Sequence, residues 1–211
     1  MRFMTLAAAF SLGAFPLAGQ QNVEGERPAS WRVRFDQANA DTSSLMFVTM
    51  SPGWHITTGP AGIFYDPGNT AVGEFRLESE IFLFPTNGRD REAFGIIFGG
   101  RSLDGPNQAY SYFLIRNTGS FIVKRRNGSE APTVHPWTES DAIVKQSGED
   151  TAKNILAIVV GAETVDFLIN NQNVATIPRS ELDVDGIVGL RANHSINMHV
   201  TSLIVTQNTG L

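Results

Sequence analysis

The chain has 211 residues, no cysteine, four histidines and a formal charge of −5 from 21 acidic and 16 basic residues. Without cysteine there is neither a disulfide framework nor a thiolate metal site, so stability has to come from core packing. The charges are scattered, and one basic triplet, Lys124-Arg125-Arg126, reads as a solvated hairpin end rather than the phosphate-neutralising stripe of a nucleic-acid binder.

Residues 1–19 open with the basic Arg2, continue through an apolar stretch over 3–17 and end in small residues. That is the layout of a secretory signal peptide. No segment approaches the roughly 20 apolar residues of a membrane helix. The expectation is an exported protein, periplasmic or extracellular, with no membrane span in its mature chain. Roughly 190 residues then remain, enough for one domain with a sizeable core. Residues 20–30 are polar and read as a flexible lead-in, leaving 31–211 as a single domain.

Residues 31–35 alternate Trp31, Val33 and Phe35 with two arginines, as a half-buried strand does. Residues 45–50 form a second apolar run, stopped by Ser51-Pro52-Gly53. The segment 53–68 holds Trp54 and His55 among glycine-containing turns. A strong strand follows over 73–84, with Phe75, Leu77, Ser79, Ile81 and Leu83 on one face and Arg76, Glu78, Glu80, Phe82 and Phe84 on the other. Residues 93–99 read as a buried strand, 101–108 as a polar loop, and 127–150 as mostly loop around His135-Pro136-Trp137. The second half repeats short β-branched or aromatic runs at 109–117, 120–126, 154–160, 164–170, 186–192 and 198–206, with a hairpin at Asn170-Asn171-Gln172 and one helical turn at 179–182. This rhythm predicts an all-β antiparallel sandwich.

Several of these runs also carry a family resemblance. They are Gly95-Ile96-Ile97-Phe98, the pair 110–116 and 121–124 joined at Gly119, Asn154-Ile155-Leu156, Phe167-Leu168-Ile169-Asn170 before Val174-Ala175, and Gly186-Ile187-Val188-Gly189-Leu190. In this order, over 54–206, they resemble the concanavalin A-like lectin/glucanase jelly roll. Among its branches the chain looks most like secreted 3-keto-disaccharide hydrolase-type domains. The resemblance implies a concanavalin A-like jelly-roll β-sandwich, a glycan or glycoside as partner, and calcium as a possible ion.

The residues leave the chemistry open. The glucanase branch carries Glu-x-Asp-x-(x)-Glu on one strand, whereas Glu181-Leu182-Asp183-Val184-Asp185 imitates the spacing in a turn. Glu78 and Glu80 share a strand face, and His55 beside Trp54 has a side chain suited to general base catalysis. These three are the catalytic candidates if the protein is a glycoside-processing enzyme. Oxygen ligands for calcium are offered by the turns at Asp104-Gly105-Pro106-Asn107 and Asp183-Val184-Asp185-Gly186. Sugar binding asks for rings to stack on a pyranose and polar groups to reach its hydroxyls. Trp54, Tyr65, Tyr110, Tyr112 and Trp137 supply rings, and Arg101, Asn107, Gln108, Arg116 and His135 supply hydrogen bonds. Tyr110, Tyr112, Leu114 and Arg116 fall on one face of their strand, with Ser111, Phe113 and Ile115 toward the core. Three functions follow: a lectin-like carbohydrate-binding domain, a 3-keto-glycoside hydrolase, and an envelope protein–protein interaction module. The glycosylation triplets at Asn127 and Asn193 are expected to stay unused, since the leader looks bacterial.

Overall fold

The computed structural model describes residues 23–207; the leader read at 1–19 lies outside them, as do residues 20–22 of the lead-in. The first half of the chain forms β1 (Arg32–Phe35), β2 (Met46–Thr49), β3 (Trp54–Thr57), β4 (Gly62–Ala71), β5 (Phe75–Leu83), β6 (Ala93–Arg101) and β7 (Ala109–Arg116). The second half forms β8 (Ser120–Asn127), β9 (Thr133–Glu139), β10 (Ala152–Val160), β11 (Thr164–Ile169), β12 (Gln172–Pro178), β13 (Gly186–Ala192) and β14 (Asn197–Gln207). A single 3-10 turn covers Arg179–Glu181. The strands make two seven-stranded sheets, β1-β4-β13-β6-β7-β8-β9 and β12-β11-β10-β5-β14-β3-β2. Among the described residues no helix is long and apolar enough to cross a membrane.

The core lies between the two sheets, and strand alternation decides what enters it. In β5 the residues Phe75, Leu77, Ser79, Ile81 and Leu83 are buried, and those between them are only partly covered. Phe113 of the first sheet packs edge-to-face against its neighbour Phe121 at 6.0 Å and against Phe167 of the second sheet at 5.2 Å. Burying each such ring contributes about 1.5–3 kcal/mol.

Asparagines close the sandwich. Asn170 and Asn171 sit at φ 50° and 66° between β11 and β12, the left-handed pair that a two-residue hairpin turn demands and that asparagine tolerates. The Asn170 side chain accepts the Ile155 N–H at 2.8 Å and donates to Ala142 O at 2.8 Å and Asn154 Oδ1 at 3.0 Å. Asn154 in turn accepts the N–H of Val144 and donates to its carbonyl, both at 2.9 Å. At the other end of the same segment, Asn117 accepts the Gln146 N–H at 2.6 Å and donates to Gln146 O at 3.1 Å. The segment carrying the chain from the first sheet to the second is thereby stitched to both.

Two segments differ from the sequence reading. Residues 53–68, read as turns, hold β3 and most of β4, and 127–150, read as loop, holds β9. Proline explains both. Pro67 lies where the β4–β13 register breaks, between the pairs Gly189↔Tyr65 and Ile187↔Thr70, and Pro136 lies at a bulge on the edge strand β9. A bulge or an edge is where a strand accepts a residue with no N–H. Within the described part of the lead-in, Gly25 N–H donates to Thr49 O and Thr49 N–H to Glu26 O, both at 2.8 Å. These bonds occupy the backbone of Thr49, the last residue of the edge strand β2.

Candidate functional site

The outer face of the first sheet carries a second apolar cluster, distinct from the core. Ile63 and Tyr65 of β4, Ala93 and Ile97 of β6, Tyr110, Tyr112 and Leu114 of β7 and Ile122 of β8 are buried there, with Trp137 of β9 packed against them. Outward side chains of four strands converge on a cavity of about 200 Å³. Its walls are Tyr112, Leu114 and Arg116 of β7, Ile122 and Lys124 of β8, Trp137 of β9, Arg191 of β13 and the adjoining Asn193.

The bulge in β9 sets the orientation of Trp137. Val123 pairs with His135 and Phe121 with Thr138, so one residue of β8 faces two of β9 and consecutive side chains are re-aimed. Trp137 goes to the outer face, where the Arg116 guanidinium lies 3.5 Å from its ring centroid. His135 goes the other way and stacks on the core ring Phe121 at 5.0 Å.

Arg191 is the electrostatic anchor. It is only 5% exposed, in a strand otherwise built of glycine and aliphatics. Its Nη1 donates to Asp36 Oδ1 at 2.9 Å and to Tyr110 Oη at 3.2 Å. Burial opposes the Asp36 charge, yet the hydrogen bond and charge of Arg191 outweigh it and hold the carboxyl below its usual range. Burial likewise opposes the Arg191 charge, and Asp36 with the two tyrosines overcomes it, so the guanidinium stays protonated. Arg126 stands 3.9 Å from the same carboxylate.

Around this anchor hydrogen-bonding capacity is unmet. The Nε atoms of Arg116, Arg126 and Arg191 and the Oδ1 of Asn193 are buried with no partner. Buried polar groups are ordinarily paired, so such a concentration marks a place built for a ligand or for water. Burial, then the charges of Arg126 and Arg191, pull the Lys124 ammonium below its ordinary range.

The sequence candidates divide. Tyr112, Arg116 and Trp137 are brought together in the cavity. Tyr110 and Tyr112 are 1% and 5% exposed and present no free ring face; Tyr112 lines the cavity, and Tyr110 lies beside it, bonded to Arg191. Tyr65 is also buried, its hydroxyl bonded to Asp104; burial first, then Asp104, raises it to about 12. Trp54 packs against the core, its ring 4.6 Å from that of Trp31. Arg101 pairs with Asp183, which also takes Arg125 Nε at 2.7 Å. Gly99 permits that approach, since at φ +64° a Cβ there would meet Asp183 O at 2.2 Å. Gln108 is buried near the Gly128 carbonyl.

His55, Glu78 and Glu80 lie on the outer face of the second sheet. His55 pairs across to His199, and His199 to Phe82, which puts His55 two strand spacings, about 10 Å, from β5. Glu78 is bound by Arg76 Nε at 3.0 Å, and Glu80 by Thr201 Oγ1 at 2.8 Å and Lys153 Nζ at 3.2 Å. Burial lowers the His55 pKa, Asn197 partly restores it, and His199 lowers it again. The acids of the two calcium-candidate turns are held by arginines: Asp104 by Arg32, Asp183 by Arg101 and Arg125, Asp185 by Arg179. No group of three His, Cys, Asp or Glu able to hold a metal occurs among the described residues.

Arg191, Lys124 and Asn193 are not among the site residues expected from the sequence, where Lys124 belongs to the basic triplet and Asn193 to a glycosylation triplet. Arg191 had a signal, a lone charge in a strand of glycine and aliphatics, which implies a buried pair. Lys124 and Arg126 alternate with Ile122 on the outer face, whereas Arg125 joins Asp183 on the other side. The triplet is therefore split between two environments and is not a solvated hairpin end.

No family model and no curated protein matches the sequence. Solved structures do. The carbohydrate binding module CBM66 from Bacillus subtilis is similar at a TM-score of 0.61, with 11% identity over 84% of this chain and 96% of that one. The fold is the concanavalin A-like jelly roll. The jelly roll is similar as well to a Bacteroides ovatus mixed-linkage glucan GH16 protein in complex with its product (TM-score 0.56, 11% identity, 84% and 94% covered). It is also similar to the VIP36 exoplasmic/lumenal domain bound to Ca²⁺ and Man3GlcNAc (TM-score 0.56, 12% identity, 86% and 85% covered).

Proposed function

We propose that this protein is an exported, lectin-like carbohydrate-binding domain whose site is the cavity on the outer face of the first sheet. The observation that carries the reading is the composition of that cavity: Trp137, Leu114 and Ile122 beside Arg116, Lys124, Arg191 and Asn193, with buried polar atoms lacking partners. A sugar needs this pairing of apolar wall and directed polar groups, because a pyranose has both CH faces and hydroxyl edges. At about 200 Å³ the cavity is smaller than the roughly 300–1,000 Å³ of drug-sized sites and suits one sugar residue of a longer chain. The fold adds a precedent, since a carbohydrate binding module and a Man3GlcNAc-bound domain are similar to it. Fold alone does not carry function.

The hydrolase reading would have to work from the second sheet's outer face, where β14 separates His55 from β5 and Glu78 and Glu80 already have cationic partners. The cavity of the first sheet supports binding better: no carboxylate lines it, and glycoside hydrolysis ordinarily takes two. A glycan array probed with the purified protein tests the proposal. Retention of at least one glycan class, lost in Trp137→Ala and Arg116→Gln, is expected. Binding that survives both substitutions, or no retention at all, would overturn it.

A further inference from the structure

Resting on the carbohydrate reading of this site, we infer that the recognised sugar is acidic, carrying a carboxylate as a uronic acid does. Three cationic side chains, Arg116, Lys124 and Arg191, line one cavity together with no carboxylate. Two acids stand nearby: Asp36 is taken by Arg191 and faces Arg126 as well, and Glu92 acts on Arg116 through its charge without forming an ion pair with it. Among the described residues, Arg116 and Lys124 have neither an ion-pair nor a hydrogen-bond partner; Arg116 has only the face of Trp137. Holding these cations close together and partly out of water is unfavourable, and the depressed Lys124 pKa reports that cost. An anion entering the cavity relieves it.

The form of the donors narrows the anion. The unpartnered Nε edges of Arg116 and Arg191 are planar N–H donors, the geometry that arginine offers to a planar carboxylate. The apolar wall of Leu114, Ile122 and Trp137 gives a sugar ring something to lie against, which a bare inorganic anion would not use. Arg191 is the fixed donor, buried and braced by Asp36 and Tyr110. Arg116 and Lys124 are the adjustable ones, each with part of its side chain open to solvent.

The test is calorimetric titration of the purified protein with oligogalacturonate and oligoglucuronate, their methyl esters, the neutral oligosaccharides and sodium acetate. At least one acidic oligosaccharide should bind tenfold or more tighter than its methyl ester, with the gap narrowing as salt is raised. Lys124→Gln and Arg116→Gln should each close most of the gap while their melting temperatures stay near that of the parent, since neither side chain leaves an ion-pair or hydrogen-bond partner behind. Equal affinity for acid and ester would overturn the acidic inference and leave carbohydrate binding standing. Acetate binding as tightly as the oligosaccharide would overturn the sugar reading and leave an anion site. Binding to none of them would overturn both.

Discussion

The outward faces of the two sheets differ in which charged side chains they leave unpaired. On the second sheet each glutamate has a partner: Arg76 for Glu78, Lys153 and Thr201 for Glu80. On the first sheet Arg116 and Lys124 line a cavity without one, beside buried Nε and Oδ1 atoms that are equally unmet. The second face has unmet groups too, the buried Nδ1 atoms of His55 and His199, but its glutamates are paired, and exposed pairs add little stability. An unpaired, half-buried charge costs stability and persists where a ligand makes up the loss. The difference locates the site better than the presence of any one residue type does.

The comparison can be broken most strongly at Arg191. Arg191→Met should destabilise the fold by about 2–3 kcal/mol in denaturant titration, below the 3–5 kcal/mol of a fully buried pair because Asp36 is one-third exposed. Adding Asp36→Asn should recover part of that loss. If the single substitution is neutral, the pair does not anchor the face.

Arg116→Gln comes next. It should reduce glycan affinity at least tenfold, about 1.4 kcal/mol, and leave stability within about 0.5 kcal/mol. Glu80→Gln, outside the cavity, should leave binding unchanged. A glycan lost by Glu80→Gln and kept by Arg116→Gln would move the site to the second sheet.

The second sheet has its own sensitive position in His55. Burial lowers its pKa from 6.5, so below that value the unfolded chain binds the proton that the folded one resists. The contribution of neutral His55 is present above pH 6.5 and lost as the pH falls through the lower folded value. Melting temperature should drop on acidification through this window, and His55→Gln should flatten the dependence. The smallest effect is expected at the half-exposed Lys153–Glu80 pair, where Lys153→Ala should cost less than about 1 kcal/mol, diminishing with salt.

Much of the fold is legible because period-two alternation is a local property. Phe75 to Leu83 announce an inner and an outer face without reference to any partner strand, and Asn170-Asn171 announce a left-handed turn. Strands β4 and β9 were hidden because Pro67 and Pro136 argue locally against a strand, and only the bulge or edge position around each makes it acceptable. The site was legible in part. The face of Tyr112 and Arg116 follows from alternation, whereas the burial of Tyr110 depends on Arg191, 81 residues away.

By itself, then, the sequence determined the all-β class, the order of most strands and which side chains share a strand face. These follow from short-range periodicity and turn chemistry. Tertiary structure alone decided that β13 lies between β4 and β6, carrying Arg191 into the middle of the face. It also decided that a one-residue bulge sends Trp137 outward and His135 inward, and that Asp183 takes Arg101 and Arg125 away from the cavity. Such outcomes hinge on which charges meet across distant strands, and pairing of charges is a property of distance in the fold, which no local pattern encodes.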